Sequence, residues 1–160
     1  MSTFDPSTFM GQVYTEQGET TFKPIPEGDY TASLSGEEKD FAIRVNKGGS
    51  VVLDLFWVIE DAQLAATMNL ASVRVRQGIF LDLDPNGKLA WGTNQNVTLA
   101  RLRAALGQNE PGKPWSPTRL CGAGPALVTV KHRADKEDAE KVYSEIAAVN
   151  PLQRSRARAA

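Results

Sequence analysis

The chain is poor in cysteine and histidine, with one of each in 160 residues. Cys121 alone cannot form an internal disulfide, and a single histidine cannot complete a Cys/His zinc site. Long apolar runs are missing too: residues 51–59 form one of the longest, yet Asp54 interrupts it and it is far too short to span a bilayer. The first residues lack the basic and apolar regions of a signal peptide, so we expect a cytoplasmic protein that does not contact a membrane.

Catalytic motifs are also lacking. The sequence has no glycine-rich phosphate loop and no nucleophile elbow. Residues 82–87 begin like a calcium loop, but its twelfth position is Thr93 and no helix precedes it, so a hairpin turn is predicted instead. We therefore expect a binding protein without a metal or other cofactor, rather than an enzyme. A nuclease that holds magnesium with Asp82 and Asp84 is the enzymatic alternative.

The composition is that of one folded domain, with 41% hydrophobic and 23% charged residues. Its charges are unevenly distributed. Residues 1–60 hold 4 basic and 10 acidic side chains, whereas residues 61–160 hold 14 and 9, for a net charge of -1. A basic half can bind a polyanion when the folded surface separates the two signs. The alternative is that these charges only populate solvated surfaces.

The residue pattern predicts a flexible arm over residues 1–23, a domain over residues 24–152 and a basic tail over residues 153–160. Alternating apolar and polar residues predict a mainly β domain. The predicted strands cover residues 30–34, 41–45, 51–59, 73–83 and 126–133, and residues 142–149 form a last strand or a short helix. Leu99, Leu102 and Leu106 predict one helix, with Asn96 as its N-cap and Gly107 at its end. A single helix between β-rich halves indicates a small barrel or sandwich.

The strand at residues 73–83 gives the strongest functional signal. Arg74, Arg76 and Phe80 share one face of it, because successive side chains of a strand point to opposite sides. Two cations and an aromatic ring in a row are suited to binding a nucleic-acid strand. Arginines that keep an exposed strand soluble are the alternative. A bulge at Gly78 would also reverse the pattern and turn Phe80 inward.

Two further strands carry candidate binding residues. Trp57 is predicted to be core, so Phe56 lies on the opposite face as either a packing residue or a stacking platform. Lys131 and Arg133 share one face of the strand at residues 126–133, where they would contact phosphates.

Four segments carry a resemblance to a known family. They are Phe22–Tyr30, Asn96–Asn109, Gly112–Trp115 and Leu120–Pro125. With them the chain resembles small bacteriophage single-stranded DNA-binding proteins, over about residues 24–152. The resemblance implies an OB-like five-stranded barrel with one connecting α-helix. It further implies binding of single strands without strong sequence preference, during phage DNA replication or recombination in the cytoplasm of the infected bacterial host.

OB folds bind along their second and third strands and the flanking loops. The predicted DNA-binding residues are therefore Phe56, Arg74, Arg76 and Phe80, with Lys131 and Arg133 in support. Phage or host replication proteins are the expected protein partners. The sequence leaves open whether the protein forms a homo-oligomer. The alternative function is a β-barrel module for phage assembly or host interaction, which binds protein rather than DNA.

The tail departs from a common pattern among such proteins, many of which end in an acidic segment that recruits partners. This chain instead carries Arg154, Arg156 and Arg158, with no acid after Glu145. We expect the tail to add phosphate contacts, because a charged flexible segment attracts a polyanion without fixed geometry. An inert solubilising end is the alternative.

Overall fold

A computed structural model describes residues 4–138 and 141–152, so the predicted basic tail lies outside the described residues. Six antiparallel strands form one open sheet, which confirms the predicted mainly β class. The strands are β1 (Gly28–Leu34), β2 (Phe41–Val45), β3 (Val51–Ile59), β4 (Val73–Leu81), β5 (Ala126–Ala134) and β6 (Val142–Asn150). The α-helices are α1 (Pro6–Met10), α2 (Ala62–Thr67) and α3 (Val97–Ala105). None of the described helices has both the length and the apolar character needed to cross a membrane.

Strand β3 organises one half of the sheet. On one side it pairs with β4 over its whole length. On the other side it pairs with β1 through Trp57–Ile59 and then with β2 through Val51–Leu55. Strands β1 and β2 are thus one long strand interrupted by residues 35–40. The sequence predicted both of its parts, and the sixth strand is β6, the segment for which the sequence left a strand or a short helix open. The interruption is fixed locally, because the hydroxyl of Ser35 donates to the carboxylate of Asp40 at 2.7 Å.

The other half of the sheet is built from β1, β5 and β6, which pair in that order. This leaves β4 and β6 as the outermost strands of the two halves. The sheet curves far enough to bring β4 and β6 into contact, although no hydrogen-bonded ladder joins them within the described residues. Helix α3 packs against both strands. Two unpaired strand edges therefore face each other beside one helix.

The core lies on the inner face of this curved sheet. Trp57 is fully buried, as predicted, and its indole nitrogen donates to Oε1 of Gln77 at 2.8 Å. That hydrogen bond satisfies the polar atom that burial would otherwise leave unpaired. Leu99 and Leu102 of α3 are also buried against the sheet, as their spacing predicted. Because the core occupies the inner face of the sheet, its outer face and its edges are left to contact a ligand.

The predicted C-terminal end of α3 is confirmed, but the predicted role of Asn96 at its N-terminal end is not. Gly107 has a φ of 72° and ends the helix as predicted. Asn96 occupies the N-cap position, but the prediction that its side chain caps the helix was wrong. The side-chain nitrogen of Asn96 donates to the backbone carbonyls of Asp82 and Ala90 at 2.8 and 2.7 Å. Its Oδ1 accepts from the backbone N–H of Asp82 at 2.8 Å. Its left-handed φ of 51° does not suit a cap, and Asn96 instead ties the hairpin to the helix.

Candidate nucleic-acid interface

The outer face of β3 and β4 carries the residues that the alternation predicted. Their register is unbroken from Val51 opposite Leu81 to Ile59 opposite Val73, so no bulge occurs at Gly78. Arg76 lies opposite Phe56, and Phe80 lies outward with 62% of its surface exposed. The predicted orientation of this face is confirmed.

Arg74 and Phe56 are engaged within the protein. The guanidinium of Arg74 forms an ion pair with Asp40 and lies 4.8 Å from the centroid of the Phe56 ring. Asp40 itself is only 8% exposed. The positive charge of Arg74 is thus neutralised and its side chain covers an aromatic ring, so these two predicted binding residues stabilise the junction between β1 and β2.

This junction should be sensitive to acid. The hydrogen bond from Arg74, and next the one from Ser35, lower the pKa of Asp40 to about 2. The pKa in the folded state is below that of an unfolded aspartate, about 3.9, so the carboxylate stabilises the fold above that value and loses this effect as the pH falls toward 2. We expect the melting temperature to fall less between pH 5 and pH 2 in Asp40→Asn than in the wild type.

The neighbouring acid provides the control for that measurement. Glu38→Gln removes an exposed carboxylate two residues away, and its melting temperature should follow the wild-type pH profile. Parallel profiles for Asp40→Asn and the wild type would show that the Arg74 pair does not contribute to acid sensitivity.

The edges of β4 and β6 border a groove of about 1060 Å³ that is closed at one side by α3. Four arginines from four different elements line it, and we call it the arginine groove. They are Arg44 of β2, Arg76 of β4, Arg101 of α3 and Arg133 of β5. Among the residues that the structure describes, Glu145 is the one carboxylate residue in the lining. The lining therefore carries more positive than negative charge, and a polyanion is the ligand that its charge favours.

Two of these arginines are paired and two are not. Nε of Arg44 lies 2.6 Å from Oδ2 of Asp54, and Nε of Arg133 lies 3.2 Å from Oε2 of Glu145. Within the described residues no carboxylate lies within ion-pair distance of Arg76 or Arg101, and both side chains are exposed. Arg76 and Arg101 are thus the charges that a ligand meets without displacing an internal partner.

Aromatic rings accompany the charges. Phe80 and Tyr143 line the arginine groove and are 62% and 44% exposed. The Tyr143 hydroxyl donates to Oδ2 of Asp135 at 2.9 Å, and this hydrogen bond raises the pKa of Tyr143. Arg133 lies 5.8 Å from the centroid of the same ring. Tyr143 is therefore held at both its ring and its hydroxyl, while much of its surface stays open to the groove.

The groove is continued by a second depression of about 820 Å³. It lies between residues 19–26, helix α2 and the first residues of β4 and β6. Arg76 and Tyr143 line both spaces. An extended ligand would therefore find a continuous path past these two side chains.

The structure gathers half of the predicted binding residues. Arg76, Phe80 and Arg133 line the arginine groove, whereas Phe56, Arg74 and Lys131 do not. Lys131 is exposed on β5 but is not part of the lining. The sequence did not predict a role for the other lining side chains that carry charge or an exposed ring. They are Arg44, Arg101, Tyr143 and Glu145.

Asp82 and Asp84, which the enzymatic alternative would use to hold magnesium, accept backbone hydrogen bonds in the hairpin and at the start of α3. Oδ1 of Asp84 accepts from the amides of Asn86 and Lys88 at 2.8 and 3.0 Å, and Oδ2 of Asp82 accepts from the Asn96 amide at 2.7 Å. Leu83 and Leu89 pair across the turn, which confirms the predicted hairpin. Across residues 4–138 and 141–152, no three or more His, Cys, Asp and Glu side chains gather as a metal site.

Comparison with known proteins assigns the chain to no family. No model of a known protein family matches the chain, and a search of curated proteins gives no significant match. The function is therefore inferred from the residues of the groove itself.

Proposed function

We propose that the protein binds single-stranded DNA in the arginine groove, with little sequence preference. The observation that carries this proposal is the lining: four arginines and two exposed aromatic rings surround one groove between unpaired strand edges. Proteins that bind single strands combine a positive groove along the phosphates with rings on which bases stack. The groove supplies both.

The roles of the side chains follow from their partners. Arg76 and Arg101 bind phosphates directly, because neither has a carboxylate partner to give up among the described residues. Arg44 and Arg133 exchange a carboxylate for a phosphate, which costs part of the gain. Phe80 and Tyr143 offer ring faces to the bases. Since every base has a π-face, stacking on them tolerates any sequence.

We also propose that the open sheet is a variant of the OB barrel. The OB fold is a five-stranded, partly open barrel. Three features support this assignment: β1 and β2 act as one interrupted strand along β3, α3 lies between β4 and β5 in the chain, and β4 and β6 contact each other. Counted in this way, β3 and β4 are the second and third strands, where OB folds bind their ligands.

The resemblance to phage proteins suggests the biological setting of this activity. We place it in phage DNA replication or recombination, in the cytoplasm of the infected host, as a binding protein rather than an enzyme. Phage or host replication proteins would be its protein partners.

A competition experiment tests the proposed function. A labelled single strand bound to the protein is challenged with unlabelled single-stranded DNA, duplex DNA and single-stranded RNA of the same sequence. We expect the single-stranded DNA to displace the label far more effectively than the duplex, because unpaired bases alone can stack on Phe80 and Tyr143. Equal displacement by the duplex would contradict the proposal, and stronger displacement by RNA would change the ligand class.

One observation favours the alternative function, a module that binds protein. Residues 4–23 expose several large apolar side chains, and clustered exposed apolar groups are typical of protein-binding segments. They are Phe4, Phe9, Met10, Val13, Tyr14 and Phe22. Loss of partner capture but not of DNA binding after substitution of these residues would assign the arm to proteins and the groove to DNA.

A further inference from the structure

A second cluster of cationic and aromatic side chains lies on the side of α3 away from the arginine groove. The guanidinium of Arg103 lies over two indole rings, 5.2 Å from the centroid of Trp91 and 4.2 Å from that of Trp115. Trp91 is 50% exposed, whereas Trp115 packs against the core. One planar cation thus supports an indole ring that presents half of its surface to solvent.

The support beneath Trp91 is held by hydrogen bonds. Nε of Arg103 donates to the carbonyl of Gln108 at 3.1 Å, and the indole nitrogen of Trp115 donates to Oε1 of Gln108 at 2.8 Å. The side-chain amide of Gln108 also donates to the carbonyl of Arg119 at 3.0 Å. The side chains that contact Trp91 are therefore held in place before a ligand binds. A binding surface that is already ordered loses less entropy on binding.

The cluster is also positive. Burial, and next the repulsion from Arg119, lower the pKa of Arg103. Within the described residues neither arginine forms an ion pair with a carboxylate, and Arg119 is exposed. Packing accounts for Trp115, which is against the core. It does not account for a half-exposed ring beside two unneutralised cations.

We propose that this cluster is a second contact site for a single strand: a nucleobase stacks on Trp91 and the phosphate beside it binds Arg119. The proposal rests on the proposed function of the arginine groove. Arg101 lines that groove, and Arg103 lies two residues further along the same helix on its opposite side. A strand that leaves the groove at Arg101 therefore reaches Trp91 by crossing one helix, a distance of about 10 Å.

The two contact sites predict a dependence on the length of the DNA. A short strand fills the groove alone, whereas a longer one also reaches Trp91. Oligothymidines of about 6 and about 20 nucleotides separate the two cases, because OB folds cover about 4–16 nucleotides each. Binding of both is measured with the full chain as wild type, Trp91→Ala and Trp91→Phe. Leu83→Ala, a change at a 40% exposed side chain of the same hairpin, is the matched control.

We expect Trp91→Ala to bind the short strand like the wild type and the long strand about tenfold more weakly, the loss of one stacked base. Trp91→Phe should retain most of the affinity, and Leu83→Ala all of it. The long strand should also quench tryptophan emission in the wild type more than in Trp91→Phe, since Trp57 is fully buried and cannot stack on DNA.

Each other outcome has a distinct meaning. If Trp91→Ala binds both strands like the wild type, the second site is wrong and the proposed function of the groove stands. If it weakens both strands equally, Trp91 supports the fold or belongs to the groove, and a separate second site is again wrong. If the wild type binds neither strand, the proposed function fails and the second site falls with it.

Discussion

Replacing Arg76 and Arg101 together by alanine is expected to weaken the binding of single-stranded DNA more than any other pair of surface changes in the arginine groove. Both side chains are exposed, and neither is paired with a carboxylate in the part of the chain that the structure describes, so the fold should not depend on them. Log affinity falls with log salt, and each phosphate contact with a single strand steepens this slope by about 0.7. Loss of two contacts should therefore make the slope shallower by about 1.4. At low salt the affinity should fall by roughly tenfold or more.

A matched pair of charges outside the groove provides the control. Lys47 and Lys88 are exposed in turns, and neither lines the groove. Their replacement by alanine removes the same net charge and should leave the salt slope unchanged. If both double variants weaken binding equally, the DNA responds to total charge and not to this groove.

Phe80→Ala is expected to cost about 1–3 kcal/mol of binding free energy, the value of one base stacked on an aromatic ring. At 1.4 kcal/mol per factor of ten, this is about 5- to 150-fold in affinity. The salt slope should not change, because no charge is removed. Thermal stability should also stay close to that of the wild type, since the ring is 62% exposed.

An exposed apolar residue of the neighbouring strand β2 separates stacking from a general surface effect. Ile43 is 60% exposed and does not line the groove, so Ile43→Ala should bind DNA like the wild type. A Phe80→Ala protein that melts much earlier but binds normally once folded would assign the ring to packing.

Strand orientation was predictable because it depends on local alternation. The period of two along β4 places Arg76 and Phe80 on one face, and the unbroken register with β3 preserves that order. The helix was predictable for the same reason, since Leu99 and Leu102 repeat with its period. Both patterns are complete within a few consecutive residues.

The partners of the arginines were not predictable in this way. Asp40 and Arg74 are 34 positions apart, and their ion pair depends on the interruption between β1 and β2. Alternation shows on which face Arg74 lies, but not that a carboxylate from a turn neutralises it. Arg74 therefore stays a predicted binding residue, but one whose charge is already paired within the protein.

The groove itself is a product of tertiary structure. It forms because β4 and β6 approach each other without pairing, and these strands are 60 residues apart. Arg101 and Arg103 are about 200° apart around α3, but this angle cannot show that Arg101 is the one beside the groove. Asn96 was mistaken for a cap because the hairpin that binds its side chain lies outside the local pattern.

The most direct measurement is a titration of labelled oligothymidine with the wild-type protein at about 50 and about 200 mM salt. The proposed groove predicts saturable binding at the lower salt, and a loss of affinity at the higher salt that corresponds to at least two phosphate contacts, a slope of about -1.4 or steeper. Absence of binding at the lower salt, or an affinity that does not change with salt, would contradict the proposal that the arginine groove binds single-stranded DNA.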